Sequence, residues 1–345
     1  MILGLFLANG AVKNSGDFLI RDSFNSFFQK NSNLEYKKIL YSELINTNLC
    51  NETIIFSGGP VFEFKFQHLL SAAPHKNCRY IFFGAGSYLF NYSTKFSSLP
   101  FSGKKENISV RDEITKKIFN LDTAFVTGCA ASYLRESMDK IVVKNNKIAI
   151  SAPQRYDYFP YTYDLINKII SLGYDVDILF NRGWDKSEYT SGLTQRKTNI
   201  FVNFLQNKGF NVIDASGEHG MKKYDTYKCH IGFRLHSHYY FLQNNLPSKL
   251  LVEDSRGLGS NLLFNDTVIW PYNHELNLSF LNKYPNKITA AIFRGIDKFN
   301  IRNTLNKSDA FDIENFLNNP CLHKERQLEL EHNGKLFLSS RLNGL

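Results

Sequence analysis

Residues 80–87 read YIFFGAGS, a short apolar run that ends in a glycine-rich turn. Similar runs end in glycine turns at residues 2–7, 52–56 and 123–126, and segments with helical spacing lie between them. An apolar strand followed by a helix, repeated several times, is typical of a parallel sheet covered by helices on both faces. Ligands of such sheets bind at the carboxyl ends of the strands.

A second series of the same kind follows the polar stretch 138–147. Its predicted strands cover residues 148–151, 175–180, 211–214, 228–233 and 249–253, with helices between them. We therefore predict an α/β fold with two Rossmann-like lobes that face a cleft. The predicted boundaries are 1–138 for the N-terminal lobe, 139–309 for the C-terminal lobe and 310–345 for a C-terminal helical tail.

The chain has 345 residues, with 41 Lys and Arg against 32 Asp and Glu, which gives a formal net charge of +9. A basic excess of this size suits anionic ligands such as phosphates or lipid headgroups. We expect no nucleic-acid partner, because the chain has no block of like charges and no zinc-finger or RRM pattern. The five cysteines include no Cys-x-x-Cys pair, which is typical of free thiols in a reducing compartment.

Residues 1–8 are apolar but lack a basic flank, and they are too short to serve as a signal or membrane segment. We therefore expect a cytoplasmic protein. Residues 283–307 interleave apolar and basic side chains at helical spacing. Such a helix either makes a peripheral contact at the inner face of the membrane or packs with its basic face in solvent.

Residues 229–236 read CHIGFRLH and join a buried strand end to the start of a helix. Arg234 and His236 are two residues apart, so in extended backbone their side chains point to the same side. A guanidinium forms a bidentate fork around a carboxylate or phosphate, and an imidazole transfers protons near neutral pH. We predict that these two residues carry the chemistry. The alternative is a surface arginine beside a structural histidine.

Two further candidate binding sites lie near predicted strand ends in the first lobe. Gly16 and Asp17 follow the first strand, where the N–H groups of a helix start can bind an anion or another substrate, although Asp17 is alternatively a helix N-cap. Arg111 is predicted to lie in the cleft, with a salt bridge to Asp112 or Glu113 as the alternative. Each position therefore has one functional and one structural interpretation.

Gly58 and Gly59 are predicted to permit a close backbone approach, either to a ligand or within a tight turn. No metal site is predicted, because no Cys or carboxylate completes a ligand spacing with the histidines of residues 230–238. Residues 84–86 lack the third glycine and the downstream acidic residue of a dinucleotide fingerprint. We therefore expect no nicotinamide cofactor.

Several of these segments together resemble the polysaccharide pyruvyl transferase family. In the C-terminal half the resemblance lies in GFRLH at 232–236, LP at 246–247 and EDSR at 253–256. In the N-terminal half it lies in NSGD at 14–17, SGG at 57–59, GAGS at 84–87, SVRDE at 109–113 and TGCA at 127–130. The segments occur in the family's order and span about residues 10–260.

The resemblance implies a transferase with two lobes of the GT-B type and no cofactor. Its implied co-substrate is phosphoenolpyruvate, and its implied acceptor is a lipid- or nucleotide-linked saccharide of bacterial capsule, exopolysaccharide or cell-wall biosynthesis. The family pattern makes His236 the acid/base and Arg234 the ligand of the donor's carboxylate or phosphate. Arg256 stands where the family often has lysine and would supply a second positive charge. The implied donor site is completed by Arg111, Gly58 and Gly59. Gly16 and Asp17 are the predicted loop for the acceptor or an anion.

Two other functions remain open from the sequence. A GT-B glycosyltransferase would use a nucleotide sugar, and Arg234 and Arg256 would then bind the phosphates of that donor. A non-catalytic subunit of a polysaccharide assembly complex would bind no small anion. The oligomeric state is left open as well.

Overall fold

The computed structural model describes residues 3–7, 13–40, 43, 46–59, 75–86, 105–119, 121–135, 146–185, 192–271 and 304–343. The predicted inter-lobe link 138–147 lies outside these ranges apart from its last two residues, and the predicted basic helix 283–307 lies outside them apart from its last four. None of the helices formed by the described residues has the length and apolarity needed to cross a membrane.

The first lobe contains seven described strands and two helices. The strands are β1 (Leu3–Leu7), β2 (Tyr36–Leu40), β3 (Leu49–Cys50), β4 (Thr53–Phe56), β5 (His75–Lys76), β6 (Arg79–Ala85) and β7 (Ile108–Val110). The helices are α1 (Ser15–Asn31) and α2 (Glu113–Ile118). Five of the strands form a parallel sheet in the order β2-β1-β4-β6-β7, and β3 pairs with β5. The strand order reverses between β1 and β4, which is where ligands of such sheets bind.

The second lobe contains a second parallel sheet of five strands. These are β8 (Ile148–Ser151), β9 (Val176–Phe180), β10 (Asn211–Asp214), β11 (Cys229–Gly232) and β12 (Ser248–Leu250), in the order β10-β9-β8-β11-β12. The helices are α3 (Phe159–Ser171), α4 (Gly192–Asn207), α5 (Leu235–Gln243) and α6 (Ser255–Leu263). The strand order reverses between β8 and β11.

The C-terminal residues form two helices that pack on different lobes. Helix α7 (Lys307–Asn318) buries Ile313 and Phe316 in the core of the second lobe. Helix α8 (Lys324–Leu342) crosses back to the first lobe, where the ring of Phe337 lies 6.1 Å from that of Phe83. The chain thus connects both lobes at its C-terminal end as well as through the segment between the sheets.

Helix α1 also joins the two lobes. Its buried residues Phe24, Phe27 and Phe28 belong to a core that includes side chains of both sheets and of α5. Its first residue, Ser15, donates a backbone hydrogen bond of 3.2 Å to the carbonyl oxygen of Asn181, which follows β9. The first turn of α1 therefore lies against the carboxyl edge of the second sheet.

The predicted fold class, α/β with two Rossmann-like lobes of the GT-B type, is confirmed by the two parallel sheets. The predicted strand at 123–126 is wrong, because only Val126 pairs, through an isolated bridge to Val110. Four strands are absent from the prediction, namely β2, β7 and the two-residue strands β3 and β5. Strand β2 buries only Ile39, as an edge strand does, and β7 has three residues, too few to show a strand pattern.

Candidate active site

Arg234 and His236 lie where β11 meets α5. Arg234 is the N-cap of α5 and has extended backbone (φ −90°, ψ 108°), whereas His236 lies in the first helical turn. The expectation that both residues share one extended segment is therefore wrong. The guanidinium of Arg234 still lies close enough to the imidazole of His236 to lower its pKa.

The end of β8 fixes the backbone of this junction. The carbonyl oxygen of Ser151 accepts a hydrogen bond from the N–H of Phe233 (3.2 Å), and its Oγ accepts one from the N–H of Arg234 (3.0 Å). Gly232 permits this close approach, because a Cβ there would lie 2.5 Å from Ser151 Oγ. The junction therefore occupies the point of strand-order reversal in the second sheet, where ligands are expected.

His236 lies against the first turn of α1, which belongs to the other lobe. A Cβ at Gly16 would lie 2.0 Å from His236 Nδ1, so the absence of a side chain at Gly16 makes room for the ring. His236 is half-buried and forms no hydrogen bond within the described part of the chain. The structure thus brings these two predicted residues together and packs Nδ1 against Gly16, so that Nε2 is the imidazole nitrogen left for a substrate.

Four arginines from both lobes surround His236. They are Arg111 after β7, Arg182 after β9, Arg234 after β11 and Arg256 in the first turn of α6. Burial, together with these four positive charges, holds the pKa of His236 well below its usual range. The imidazole is therefore neutral near pH 7 and able to accept a proton.

Two of the arginines are held by neighbouring aspartates. Arg111 Nε donates to Asp112 Oδ2 (3.1 Å), so the predicted alternative of a salt bridge is present. Arg111 still faces the site, since it lowers the pKa of His236, and its buried Nη2 has no partner among the described residues. Arg256 Nε donates to both oxygens of Asp254, at 3.0 and 3.1 Å. Burial raises the pKa of Asp254, but Arg256 outweighs burial and the net shift is downward.

Arg182 is absent from the predicted site residues, although it lies close enough to lower the pKa of His236. Its buried Nε has no hydrogen-bond partner within the described ranges. The preceding Asn181 is buried and donates to Ser237 Oγ (2.9 Å), which ties the end of β9 to α5. The one available sequence signal is position, because Arg182 follows a buried strand at the edge where ligands bind.

Asp17 lies in the first turn of α1. The alternative that Asp17 is the N-cap is wrong, because Asn14 is the N-cap and its Oδ1 accepts a hydrogen bond from the first turn (3.4 Å). Asn14 Nδ2 also donates to Asp17 Oδ1 (2.8 Å). Burial raises the pKa of Asp17, and the net shift remains upward although it is opposed by Arg182, Arg256 and Arg234.

Gly58 and Gly59 follow β4 and have positive φ values of 97° and 94°, which favour glycine in the turn. A Cβ at Gly59 would meet no described atom within 4 Å. Gly86, after β6, adjoins the site more closely, because a Cβ there would lie 2.7 Å from Arg111 Cζ. The donor-binding role of Gly58 and Gly59 stays a prediction, and the turn by itself explains why both are glycine.

The sequence model of the polysaccharide pyruvyl transferase family matches residues 14–248, about two thirds of the chain. No curated protein matches the chain. Among solved structures, the chain is similar to UDP-GlcNAc 2-epimerase from Methanocaldococcus jannaschii in complex with UDP-GlcNAc and UDP (13% identity, 92% of this chain and 99% of that chain, TM-score 0.45). It is also similar to S. aureus MnaA solved with UDP (9% identity, 92% of this chain and 96% of that chain, TM-score 0.46). A third similar structure is the wall teichoic acid polymerase TagF (11% identity, 99% of this chain and 89% of that chain, TM-score 0.40).

Proposed function

This chain belongs to the polysaccharide pyruvyl transferase family, and we propose that it forms a pyruvate ketal on a saccharide during bacterial surface-polysaccharide assembly. Membership of the family makes the protein a transferase. The proposed donor is phosphoenolpyruvate. The proposed acceptor is a lipid- or nucleotide-linked saccharide that offers two free hydroxyl groups.

The observation that carries this proposal is the set of four arginines around a neutral histidine. Phosphoenolpyruvate has a carboxylate and a phosphate, and each of these anions accepts the bidentate fork of a guanidinium. Arg234 is proposed to hold one anion and Arg256 the other. Arg111 offers a further donor through its Nη2, which has no partner among the described residues. The arginines therefore supply enough hydrogen-bond donors for both ends of the donor substrate.

Ketal formation joins two acceptor oxygens to one carbon of the donor. First, one hydroxyl oxygen bonds to the enol carbon and loses its proton, while the methylene carbon gains a proton and becomes a methyl group. Next, the bond from that carbon to the phosphate oxygen breaks, and the second hydroxyl oxygen bonds to the carbon and loses its proton. One proton equivalent thus ends in the methyl group and the other on the released phosphate.

His236 is proposed to accept the proton of the attacking hydroxyl. Its ring is neutral and gives up no existing hydrogen bond to the described residues when a hydroxyl approaches. The arginines stabilise the negative charge that collects on the phosphate oxygen as it leaves. The same arginines thus lower the pKa of His236 and stabilise the departing phosphate.

A lipid-linked acceptor would place the protein at the inner face of the cytoplasmic membrane. The net charge of +9 favours contact with anionic lipids. Co-sedimentation with vesicles of phosphatidylglycerol and phosphatidylcholine tests this part of the proposal. We expect binding that weakens as salt is raised, and no binding to vesicles of phosphatidylcholine alone.

Phosphate release from phosphoenolpyruvate tests the proposed reaction. Purified protein is assayed with and without a panel of p-nitrophenyl glycosides and UDP-linked sugars as acceptors. We expect release only when an acceptor is present, with a product that has gained the mass of pyruvate less one water. His236→Ala is expected to abolish release, and an active His236→Ala variant would contradict the role of the histidine.

A thermal-shift panel separates the proposed function from its two rivals. Phosphoenolpyruvate should stabilise a pyruvyl transferase, whereas UDP- or CMP-sugars would stabilise a glycosyltransferase. If no small anion stabilises the protein and a partner enzyme co-purifies with it, these results would indicate a non-catalytic subunit.

A further inference from the structure

We infer that Asp17 is a second catalytic residue of this site, which donates the proton that the methylene carbon of the donor receives. The inference rests on the proposed function. It divides the proton transfers between two lobes: His236 on α5 removes the proton of the attacking hydroxyl, and Asp17 on α1 supplies the proton to carbon.

Asp17 differs from the other aspartates of the site in its partners. Asp112 and Asp254 each hold an arginine, at 3.1 and 3.0 Å. Within the described residues the carboxylate of Asp17 forms no ion pair, and its one side-chain hydrogen bond comes from the amide of Asn14 (2.8 Å). Asp112 and Asp254 are therefore occupied as counter-ions, whereas Asp17 keeps an oxygen available for a substrate.

A buried junction between the lobes holds the helix turn that carries Asp17 against the helix turn that carries His236. Gly16, the preceding residue, lies against the imidazole ring. Ser15 donates to the carbonyl oxygen of Asn181 from its backbone N–H (3.2 Å) and its Oγ (3.4 Å). Asn181 in turn donates to Oγ of Ser237, the residue after the histidine (2.9 Å). These bonds fix the first turn of α1 against the first turn of α5. The charges of Arg182, Arg234 and Arg256 act on both Asp17 and His236.

The charges around Asp17 suit a proton donor. Burial raises its pKa, and the positive charges of Arg182, Arg256 and Arg234 oppose this shift without reversing it. His236, on the facing helix, is neutral and adds no charge. A bound donor places a carboxylate and a phosphate against the arginines, which weakens their effect and raises the pKa of Asp17 further. Burial and the bound anions therefore both favour the protonated carboxyl group, which is the form that can donate a proton.

Every proton in the proposed reaction is accounted for without an additional reactant. The O–H bond of Asp17 breaks as a C–H bond forms at the methylene carbon, while the acceptor oxygen bonds to the adjacent carbon and its proton passes to His236. The phosphate then departs, and the second hydroxyl attacks and returns a proton to Asp17. His236 gives its proton to the phosphate, so both residues regain their starting states.

Asp17→Asn tests the inference with the least change in shape, because the amide oxygen can still accept the Asn14 hydrogen bond. We expect kcat with phosphoenolpyruvate and a working acceptor to fall about 100-fold while the KM for phosphoenolpyruvate stays within about threefold. The matched control is Asp22→Asn, which changes an exposed aspartate on the same helix and should keep the wild-type kcat. Far-UV circular dichroism and melting temperature show whether both variants fold.

A second variant, Asp17→Ala, is assayed with and without sodium formate. We expect formate to raise kcat about tenfold or more, in proportion to the fraction present as formic acid, since the small acid replaces the lost proton donor. The wild-type kcat should fall as pH rises through the raised pKa of Asp17, and Asp17→Asn should lack this decline.

Wild-type kcat in Asp17→Asn would overturn the inference. So would a loss of activity with a raised KM and no rescue by formate, because that pattern indicates a positioning role. A wild-type protein that releases no phosphate from phosphoenolpyruvate with any acceptor would refute the proposed function, and the inference with it.

Discussion

A methyl group added at Gly16 would collide with the imidazole on which the proposed reaction depends. The Cβ of Gly16→Ala would lie 2.0 Å from His236 Nδ1, 2.5 Å from Cγ and 2.8 Å from Cβ. Ordinary contact begins at 3.4 Å, so the ring nitrogen has to retreat by about 1.4 Å. Rotation of the ring does not relieve the contact at Cβ, and the first turn of α5 therefore has to shift.

The expected effect on catalysis is larger than the expected effect on folding. A displacement of about 1 Å at a catalytic group lowers the rate about 100-fold, and we expect a fall of that order in kcat. Overpacking destabilises by about 1–3 kcal/mol, while alanine in place of a helical glycine regains about 0.5–1 kcal/mol. The free energy of unfolding should therefore fall by roughly 0–2.5 kcal/mol.

Steady-state phosphate release and urea denaturation measure these two quantities. The matched control is Gly192→Ala at the first residue of α4, where a Cβ would meet no described atom within 4 Å. This control should keep its wild-type kcat. A Gly16→Ala variant with kcat within about threefold of wild type would refute the reasoning, because the imidazole would then not need its present position.

Other predictions concern charge and pH. Arg182→Gln should raise the KM for phosphoenolpyruvate about 10- to 100-fold in steady-state assays, because it removes a charged hydrogen bond to the donor that is worth about 1.5–3 kcal/mol. The control Arg196→Gln, which changes an exposed arginine, should leave this KM unchanged. Burial lowers the pKa of His230 to about 3, so the unfolded chain binds a proton below pH 6.5 that the folded chain does not. This proton alone should lower the free energy of unfolding by about 1.4 kcal/mol per pH unit as pH decreases from 6.5 toward 3, measured by urea denaturation at several pH values. The lowered pKa values of His236 and His238 make the total fall steeper. A pH-independent value over this range would contradict the buried, neutral state of His230.

Strand ends are the part of the site that sequence pattern predicts well. Residues 148–151 and 211–214 form strands β8 and β10 with the predicted bounds. All four residues of β8 are buried, as expected for a central strand of a parallel sheet. The expectation that ligand-binding groups follow such runs places Arg111, Arg234 and His236 correctly near one another. Pattern alone thus locates the edge of the sheet at which the site forms.

Contacts between the lobes are the part that pattern does not predict. Arg182 carries no motif, and it enters the site because Asn181 ties the end of β9 to α1 and α5. The role of Gly16 is steric and depends on a histidine 220 residues further along the chain. Local propensity contains no information on such pairs, because they depend on how the two sheets are placed relative to each other.

The fate of the donor's methylene carbon tests the central claim most directly. Phosphoenolpyruvate labelled at that carbon is incubated in D₂O with the wild-type protein and a working acceptor, and the product is analysed by NMR and mass spectrometry. Pyruvyl transfer predicts that the label appears in the acceptor as a singly deuterated methyl group and that His236→Ala forms none of this product. Label that stays in phosphoenolpyruvate or appears only in free pyruvate, under conditions in which the acceptor is modified, would contradict the claim.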